Sequence, residues 1–557
     1  MNNLVRLLKK NGVQNICISP GLRNTAISLP FIKHGGFECY SILDERSSAY
    51  FALGMALKTN IASVLICTSG TATANYFPAI IEASQSKIPM IIITADRPMN
   101  LLNSGENQTI NQKNIYGDFV RSSIDFNESE HILDKINDSL KFINSSNTNI
   151  TTGPLHFNIH LNDLKKYTEK ISSKKIPAKL SISSNKQHLN WADFLYKDIF
   201  NLYNYQKPMI IIGRLNHKVD FKLISKLSKY LKAPILADPL SQIRFNNNNV
   251  LDLYDHYIHK ENINPDLIIR IGQKPISKAL CQKITQLEKK GINSLTFSSL
   301  LIDESGRFND NATTILKINY KYFIHFNLNN TIENKNSDFY EYMNQLNQNI
   351  ANIIKDENEW SELIIAKTCL LSIQNKENFV IGNSMPIRYI DMVGNINSKK
   401  NINTYSNRGA SGIDGLIATA LGISFKTNQK TTLLIGDLSF IYDQSSLLIA
   451  KQLKIHLTIL VINNNGGGIF SILPFSKTIH KDLFEKYWTT SHHLDLKKIA
   501  QIYNCNYKKV ISEKQLTSAL IKFKNITGIN IIDAQINIKN NKKALFQFKK
   551  KIKKGIV

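Results

Sequence analysis

Asp437 and Asn464 stand 27 positions apart, each just past an apolar, β-branched run. Thr431 to Ile435 precedes Gly436-Asp437-Leu438-Ser439, and His456 to Ile462 precedes Asn463-Asn464-Asn465-Gly466-Gly467. Between them Asp443 is placed to cap a helix over Ser445 to Lys451. A strand–helix–strand unit with a right-handed crossover sets an Asp and an Asn side by side at the carboxyl edge of a parallel sheet. A hard divalent cation takes carboxylate, amide and backbone carbonyl oxygens, and leaves positions for phosphate oxygens of its cargo. This segment supplies the first three. It predicts a site for Mg²⁺ carrying a diphosphate.

A second acid of interest is Glu45, in Leu43-Asp44-Glu45-Arg46, where a strand-like run turns into a helical one. A carboxylate there favours the helix dipole by about 0.3–1 kcal/mol; a catalytic carboxylate at a strand end is the competing reading. The cations carry a different signal. The chain has 58 lysines against 11 arginines, with lysine spread beside many Asn and Ile. Where lysine is the default cation, a retained arginine points to its planar, bidentate fork. Arg46 and Arg121 read as surface ion pairs, and His492-His493 as surface.

The elements that must hold these residues follow from the pattern. Residues 1–165 alternate strand-like runs (Asn15–Ile18, Cys39–Leu43, Ala62–Cys67, Met90–Ala95) with helical ones (Asn24–Lys33, Glu45–Lys58, Ala72–Ser86). Turn residues mark the strand ends at Pro20-Gly21, Ser69-Gly70-Thr71 and Asp96-Arg97-Pro98. Met1 to Lys10 reads as an amphipathic helix rather than a secretory signal. The polar stretch 166–190 reads as a linker, and so does Asn327 to Asp338. Between them Pro208–Gly213 and Asp266–Gly272 are strands ending at glycine. A third α/β block carries Asp437 and Asn464. The fold class predicted is α/β: three doubly wound domains with mostly parallel central sheets.

At 557 residues the chain exceeds one ordinary core. Its 43% hydrophobic and 20% charged residues describe a globular protein, and no apolar run nears the roughly 18 residues that span a bilayer. A net charge of +26 raises a polyanion partner. The basic run Lys542 to Lys554 reads as a solvated tail, and aromatic residues do not interleave with the cations. Six cysteines show neither metal spacing nor a disulfide framework.

A Gly-Asp segment followed by Asn-Asn at this spacing resembles the diphosphate motif of thiamine-diphosphate enzymes. More narrowly, the chain resembles the menaquinone-pathway synthase family within that class. The likeness runs over essentially the whole length. Its carriers are Ser19-Pro20-Gly21-Leu22-Arg23, Leu43-Asp44-Glu45-Arg46, Thr68-Ser69-Gly70-Thr71-Ala72, Thr94-Ala95-Asp96-Arg97-Pro98, Asn107-Gln108, Gly382-Asn383-Ser384, Tyr405 to Gly415 and Asn463 to Ser471. Ser406-Asn407-Arg408-Gly409-Ala410-Ser411-Gly412-Ile413-Asp414-Gly415 is the longest and most specific.

The resemblance implies a pyrimidine-binding domain over 1–165, a central domain over 191–326 and a diphosphate- and Mg-binding domain over 340–557. It implies thiamine diphosphate with Mg²⁺ or Mn²⁺, the metal on Asp437, Asn464 and the Gly466 carbonyl. Gly436, Asp437, Leu438 and Ser439 would surround the diphosphate. Glu45 would activate the aminopyrimidine ring, and Ile413 would press the cofactor into its bent shape. The implied substrates are 2-oxoglutarate, which is decarboxylated, and isochorismate, which accepts the succinyl unit. Both carry two carboxylates, suited to arginine clamps. Arg23, Arg388 and Arg408, with Gln108 and Ser384, are implied beside Glu45 in catalysis. Arg97, Asn107, Arg307, Ile469 and Phe470 are implied in substrate binding. Leu22 departs from the family, which has Ser beside the first-domain arginine. The resemblance also implies a homodimer or dimer of dimers, with the cofactor between the first domain of one protomer and the third of another. It implies residence in a bacterial cytoplasm or a plastid stroma, without nucleic acid or membrane insertion. An acetohydroxyacid synthase-like enzyme would share Glu45, Asp437 and Asn464 but need no arginine cluster. A basic nucleic-acid-binding protein is the rival from another class.

Overall fold

The computed structural model describes residues 1–127, 132–143, 151–161, 205–215, 220–247, 249–291, 298–302, 312, 314–316, 320–330, 337–395 and 400–556. The stretch 166–190, read as a linker, lies outside them. Two compact units divide the chain. One comprises Met1–Ile176, Glu357–Val393 and Lys400–Lys550; the other comprises Pro177–Asp356, Gly394–Lys399 and Lys551–Val557.

Three six-stranded parallel sheets carry the fold. The first contains β1 (Asn15–Ile18), β2 (Glu38–Ser41), β3 (Ser63–Cys67), β4 (Met90–Asp96), β5 (Ser122–Asn127) and β6 (Pro154–His160). The second contains β7 (Pro208–Ile212), β8 (Ile235–Ala237), β9 (Val250–Leu251), β10 (Leu267–Ile271), β11 (Ser298–Ile302) and β12 (Thr314–Leu316). The third contains β13 (Asn378–Ile381), β14 (Asn403–Tyr405), β15 (Thr431–Gly436), β16 (Leu457–Asn463), β17 (Asn506–Val510) and β18 (Ile529–Gln535). The first and third sheets share one winding, β2-β1-β3-β4-β6-β5 and β14-β13-β15-β16-β18-β17. The second runs β12-β11-β10-β7-β8-β9, the order of a dinucleotide-type doubly wound sheet.

Parallel sheets are covered on both faces, so their inner strands read as continuous apolar runs. β3, β4 and β6 are buried at every residue. Val64, Ile91 and Phe157 face a core with Leu4, Leu8 and Phe31. Leu65 and Ile92 face the opposite way, into one core with Leu433 and Ile459 of the third sheet. At its centre the Glu45–Thr59 helix crosses the Leu416–Phe425 helix. Glycines permit the approach: a Cβ on Gly54 would lie 2.2 Å from the Thr419 carbonyl oxygen, and one on Gly422 2.2 Å from that of Phe51.

Several boundaries differ from the sequence reading for local reasons. The helix expected over Ala72–Ser86 breaks into Thr71–Asn75 and Phe77–Ser86, where Pro78 restarts the ladder in the second first turn. The Asn-rich stretch from Asn327 is not all linker: the helix Tyr320–Asn330 runs into it, and the next helix begins at Asp338. Asp443 does not cap the helix that follows it. Its Oδ2 accepts the Ile417 and Ala418 N–H groups at 2.7 and 3.0 Å, serving the first turn of the Leu416–Phe425 helix.

Candidate active site

In a doubly wound sheet the ligand crevice opens where the winding reverses, at the carboxyl ends of the strands. In the third sheet that point lies between β13 and β15. Gly382-Asn383-Ser384 leaves one strand there and Gly436-Asp437 the other. Gly436 pairs with Ile462 of β16, so Asn464 emerges beside Asp437.

Asp437 is 2% exposed. Its Oδ1 accepts the Leu438 N–H at 2.7 Å, and its Oδ2 accepts the Gly466 N–H at 2.9 Å. Gly466, at φ 144°, takes a conformation glycine alone adopts readily, and a Cβ there would meet the Thr489 carbonyl oxygen at 2.3 Å. Asn464 donates through Nδ2 to Glu362 Oε1 at 2.8 Å. Its Oδ1 is buried and has no hydrogen-bond partner among the described residues. A buried amide oxygen left unpaired is costly, and a cation is the kind of group that would satisfy it. A carboxylate, which has about four lone-pair positions, keeps room for a metal beside these two backbone N–H donors and His492 Nε2, 3.2 Å from Oδ2. Among the described residues no group of three or more His, Cys, Asp or Glu is disposed to hold a metal. The Asp437 carboxylate and the unpaired Asn464 amide oxygen fit a cation bound through oxygen ligands.

Two further groups at this spot were not anticipated. His492 was read as surface, yet its side chain is nearly buried, with Nε2 3.2 Å from Asp437 Oδ2. The backbone past Thr489 folds over the Asn463–Gly468 loop: the Gly467 N–H donates to the Thr489 carbonyl, and the His493 N–H to Asn465 Oδ1. His493 itself is exposed, as expected. Glu362 opens the Glu362–Ser372 helix. Burial pushes its carboxyl above the usual range, against the opposing pull of the Asn464 amide and the Tyr389 hydroxyl; the Asp437 charge adds to the rise.

The Tyr405–Gly415 loop is fixed from three sides. Glu82 accepts the Gly409 and Ala410 N–H groups, each at 2.7 Å. Asn383 donates to the Asn407 and Gly412 carbonyls at 2.7 and 2.6 Å. The Tyr50 hydroxyl donates to Asp414 at 2.7 Å. Ile413, held between these anchors, remains 40% exposed. Arg408 donates to Asn383 Oδ1 at 3.2 Å, and Arg388 to the carbonyl of Ser384. Both third-sheet arginines thereby converge on the turn after β13, where Ser384 has φ 68°. Ile469 is half-buried and Phe470 is 36% exposed, an apolar surface rather than core.

At the first sheet, Arg97 donates through Nε to the Asn107 carbonyl at 3.1 Å and through Nη2 at 2.5 Å. Its own backbone is clamped: its N–H donates to Asp96 Oδ1 at 2.7 Å, and its carbonyl lies 2.6 Å from His160 Nδ1. Arg23 donates to the Leu161 carbonyl at 3.4 Å. Burial and then the nearby Arg97 lower its pKa, so these two cations lie close enough to repel. Leu22 beside them is 77% exposed. Asn107 and Gln108 are exposed, with Gln108 at φ 54° against Gly70. Glu45 is half-buried, and its charge raises the pKa of the buried Cys67 thiol after burial itself. Arg307 lies outside the described residues.

Arg121 and Arg46, expected at the exposed surface, are both partly buried. Arg121 donates to the Thr152 and Ser84 carbonyls at 3.2 and 2.9 Å. The Arg46 guanidinium lies over the Tyr442 ring, 4.8 Å from its centroid, and donates to the Tyr442 carbonyl at 3.1 Å.

A sequence model of the thiamine pyrophosphate enzyme N-terminal TPP binding domain matches residues 1–115, and one of the C-terminal TPP binding domain matches residues 392–534. In fold, the chain is similar to the benzoylformate decarboxylase of Polynucleobacter necessarius, with a TM-score of 0.70 at 15% identity over 96% of this chain and 98% of that one. Fold, site and domain matches together define a thiamine-diphosphate-dependent α/β enzyme. Curated relatives narrow this further. The chain is 34% identical to the 2-succinyl-5-enolpyruvyl-6-hydroxy-3-cyclohexene-1-carboxylate synthase of Lysinibacillus sphaericus (strain C3-41), over 92% of this chain and 91% of the relative. It is 31% identical to that of Bacillus pumilus (strain SAFR-032), over 94% and 92%. The chain belongs to the 2-succinyl-5-enolpyruvyl-6-hydroxy-3-cyclohexene-1-carboxylate synthase family.

Proposed function

We propose that this enzyme decarboxylates 2-oxoglutarate and joins the resulting succinyl unit to isochorismate, in the biosynthesis of menaquinone or phylloquinone. The observation that carries the reading is the buried, unpartnered Asn464 Oδ1 beside Asp437. Asp437, Asn464 and the Gly466 carbonyl would hold Mg²⁺ or Mn²⁺; Gly436, Leu438 and Ser439 would line the diphosphate. When bound, thiamine diphosphate supplies a nucleophilic carbon and an electron sink for decarboxylation.

The chain's own groups do the rest. Glu45 holds a proton at the cofactor's aminopyrimidine. Ile413 bears on the cofactor. Arg23, Arg97, Arg388 and Arg408 clamp substrate carboxylates, and Asn107, Gln108 and Ser384 orient them through hydrogen bonds. Ile469 and Phe470 exclude water, which would otherwise quench the reacting carbon. The pyrimidine-binding domain spans 1–165, the central domain 191–326 and the diphosphate-binding domain 340–557. The working enzyme is a homodimer or a dimer of dimers, with Glu45 of one protomer serving the Asp437 site of its partner. It works in a bacterial cytoplasm or a plastid stroma. Among the described residues no helix is long and apolar enough to cross a membrane.

The test is an assay with 2-oxoglutarate, isochorismate, thiamine diphosphate and Mg²⁺. Glu45→Gln is expected to fold and lose most turnover; a fully active variant removes Glu45 from the reaction. Turnover of pyruvate but not of 2-oxoglutarate would overturn the substrate assignment.

A further inference from the structure

Glu362 is a buried acid that the reaction above does not use. It is 3% exposed, and its position is tightly set. Ser361 caps the helix it opens, accepting the Ile364 N–H at 3.3 Å. The Glu362 N–H donates to Asn541 Oδ1 at 3.0 Å. From this fixed point the carboxyl reaches Asn464 and accepts its Nδ2 at 2.8 Å. An Asn amide has two ends of opposite polarity and similar shape, and its neighbours decide which way it turns. With Glu362 as the carboxylate, the reverse orientation would set two acceptor oxygens against each other at 2.8 Å. Glu362 therefore dictates the orientation in which Oδ1 faces away from it, buried and unpaired. A purely structural amide would be satisfied at both ends. This one is satisfied only at the end that Glu362 controls.

We propose that Glu362 is a positioning residue for the cation: its carboxylate locks the Asn464 amide so that Oδ1, and not Nδ2, is presented to the metal. The proposal rests on the reading of Asp437 and Asn464 as the cation site. It assigns Glu362 no contact with the metal itself. Partners that orient a metal ligand from behind typically change affinity 10–100-fold when removed.

An exchange of partners tests it. In Asn464→Asp the side chain keeps Oδ1, exchanges Nδ2 for a second oxygen and gains a charge that a cation favours, but it loses the N–H that Glu362 accepts. In Asn464→Asp/Glu362→Gln the amide has moved to the other partner, and its N–H is restored to the contact. Mn²⁺ affinity in the presence of thiamine diphosphate is read from the electron paramagnetic resonance of free Mn²⁺, without turnover. Thermal melting of the cofactor-free proteins checks the fold. The expected result is at least tenfold weaker Mn²⁺ binding in Asn464→Asp, with recovery to within about threefold of wild type in the double variant. Tight binding in Asn464→Asp with Glu362 intact, or no recovery in the double variant, would overturn the proposal. Asp437→Ala separates the two levels. If it leaves Mn²⁺ affinity unchanged, the cation-site reading itself fails; if it abolishes binding while the double variant does not recover, only the role of Glu362 falls.

Discussion

Glu82 grips Gly409 across 327 positions of sequence, its carboxylate accepting that N–H and the next one at 2.7 Å each. A third donor, the Ser86 hydroxyl, lies 2.5 Å from the same Oε1. One side chain on the Phe77–Ser86 helix thus fixes the loop that carries Arg408 and Ile413. Glu82→Ala strands two part-buried N–H groups and is expected to destabilise the protein by roughly 1–2 kcal/mol. Activity should fall further than stability alone explains. Chemical denaturation and kcat/KM under conditions where the variant remains folded check both.

Two glycines should respond in opposite ways. Gly54→Ala drives a methyl to 2.2 Å from the Thr419 carbonyl oxygen, so the Glu45–Thr59 and Leu416–Phe425 helices must separate. The expected cost is about 1–3 kcal/mol. Gly436 has nothing within 4 Å of an added Cβ and a φ of −80°. Gly436→Ala is expected to melt like wild type while binding thiamine diphosphate more weakly, as calorimetry would show.

Asp443 gives a pH signature. Burial pushes its carboxyl up to about 6, against four hydrogen bonds and charge contacts that lower it. From its ordinary 3.8 up to 6, the folded chain keeps a proton that the unfolded chain has released. Raising pH through that window therefore removes stability, by up to roughly 3 kcal/mol from this group. Asp443→Asn can still accept the Ile417 and Ala418 N–H groups, while Ser446 turns its hydroxyl to accept. The stability of the variant relative to wild type should rise between pH 4 and pH 7 and then level off. A flat difference across the range would refute the assignment.

Arg408→Lys tests the choice of arginine. Lysine keeps the charge but not the fork. The expected result is an unchanged melting temperature and a KM for 2-oxoglutarate raised about tenfold, equivalent to ~1.4 kcal/mol. An unchanged KM would remove Arg408 from substrate binding.

The sheets were legible because strand-forming runs end in turn residues at each carboxyl edge. β1 was placed to the residue, and Asp437 and Asn464 follow successive strands in one register. β5 and β6 are less legible: Ser122–Asn127 is mostly polar and only partly buried, and Pro154–His160 mixes polar side chains into buried positions. Their Asn158 and His156 are buried because they pair with Asp96, Asp125 and Thr94, which no local pattern announces. His492 reads as surface in the sequence because it rides on irregular chain with no periodicity to mark a buried face. Glu362 escaped because an acid at a helix start reads as a dipole complement. A signal existed for Glu82: a lone acid amid Ala79, Ile80 and Ala83 must be buried. Asp443 was recognised as a cap, but its helix is set by tertiary folding rather than by chain order.

The first compact unit is assembled from separated arcs of chain, and Gly54 finds Thr419 only across 365 residues. On a ribosome elongating at about 5–20 residues per second, the earlier helix would wait roughly 20–70 s for its mate. During that interval its contact face stays open to stray partners. Newly made enzyme should therefore lean on chaperones, and a slower-translated message should lose more of it to aggregation.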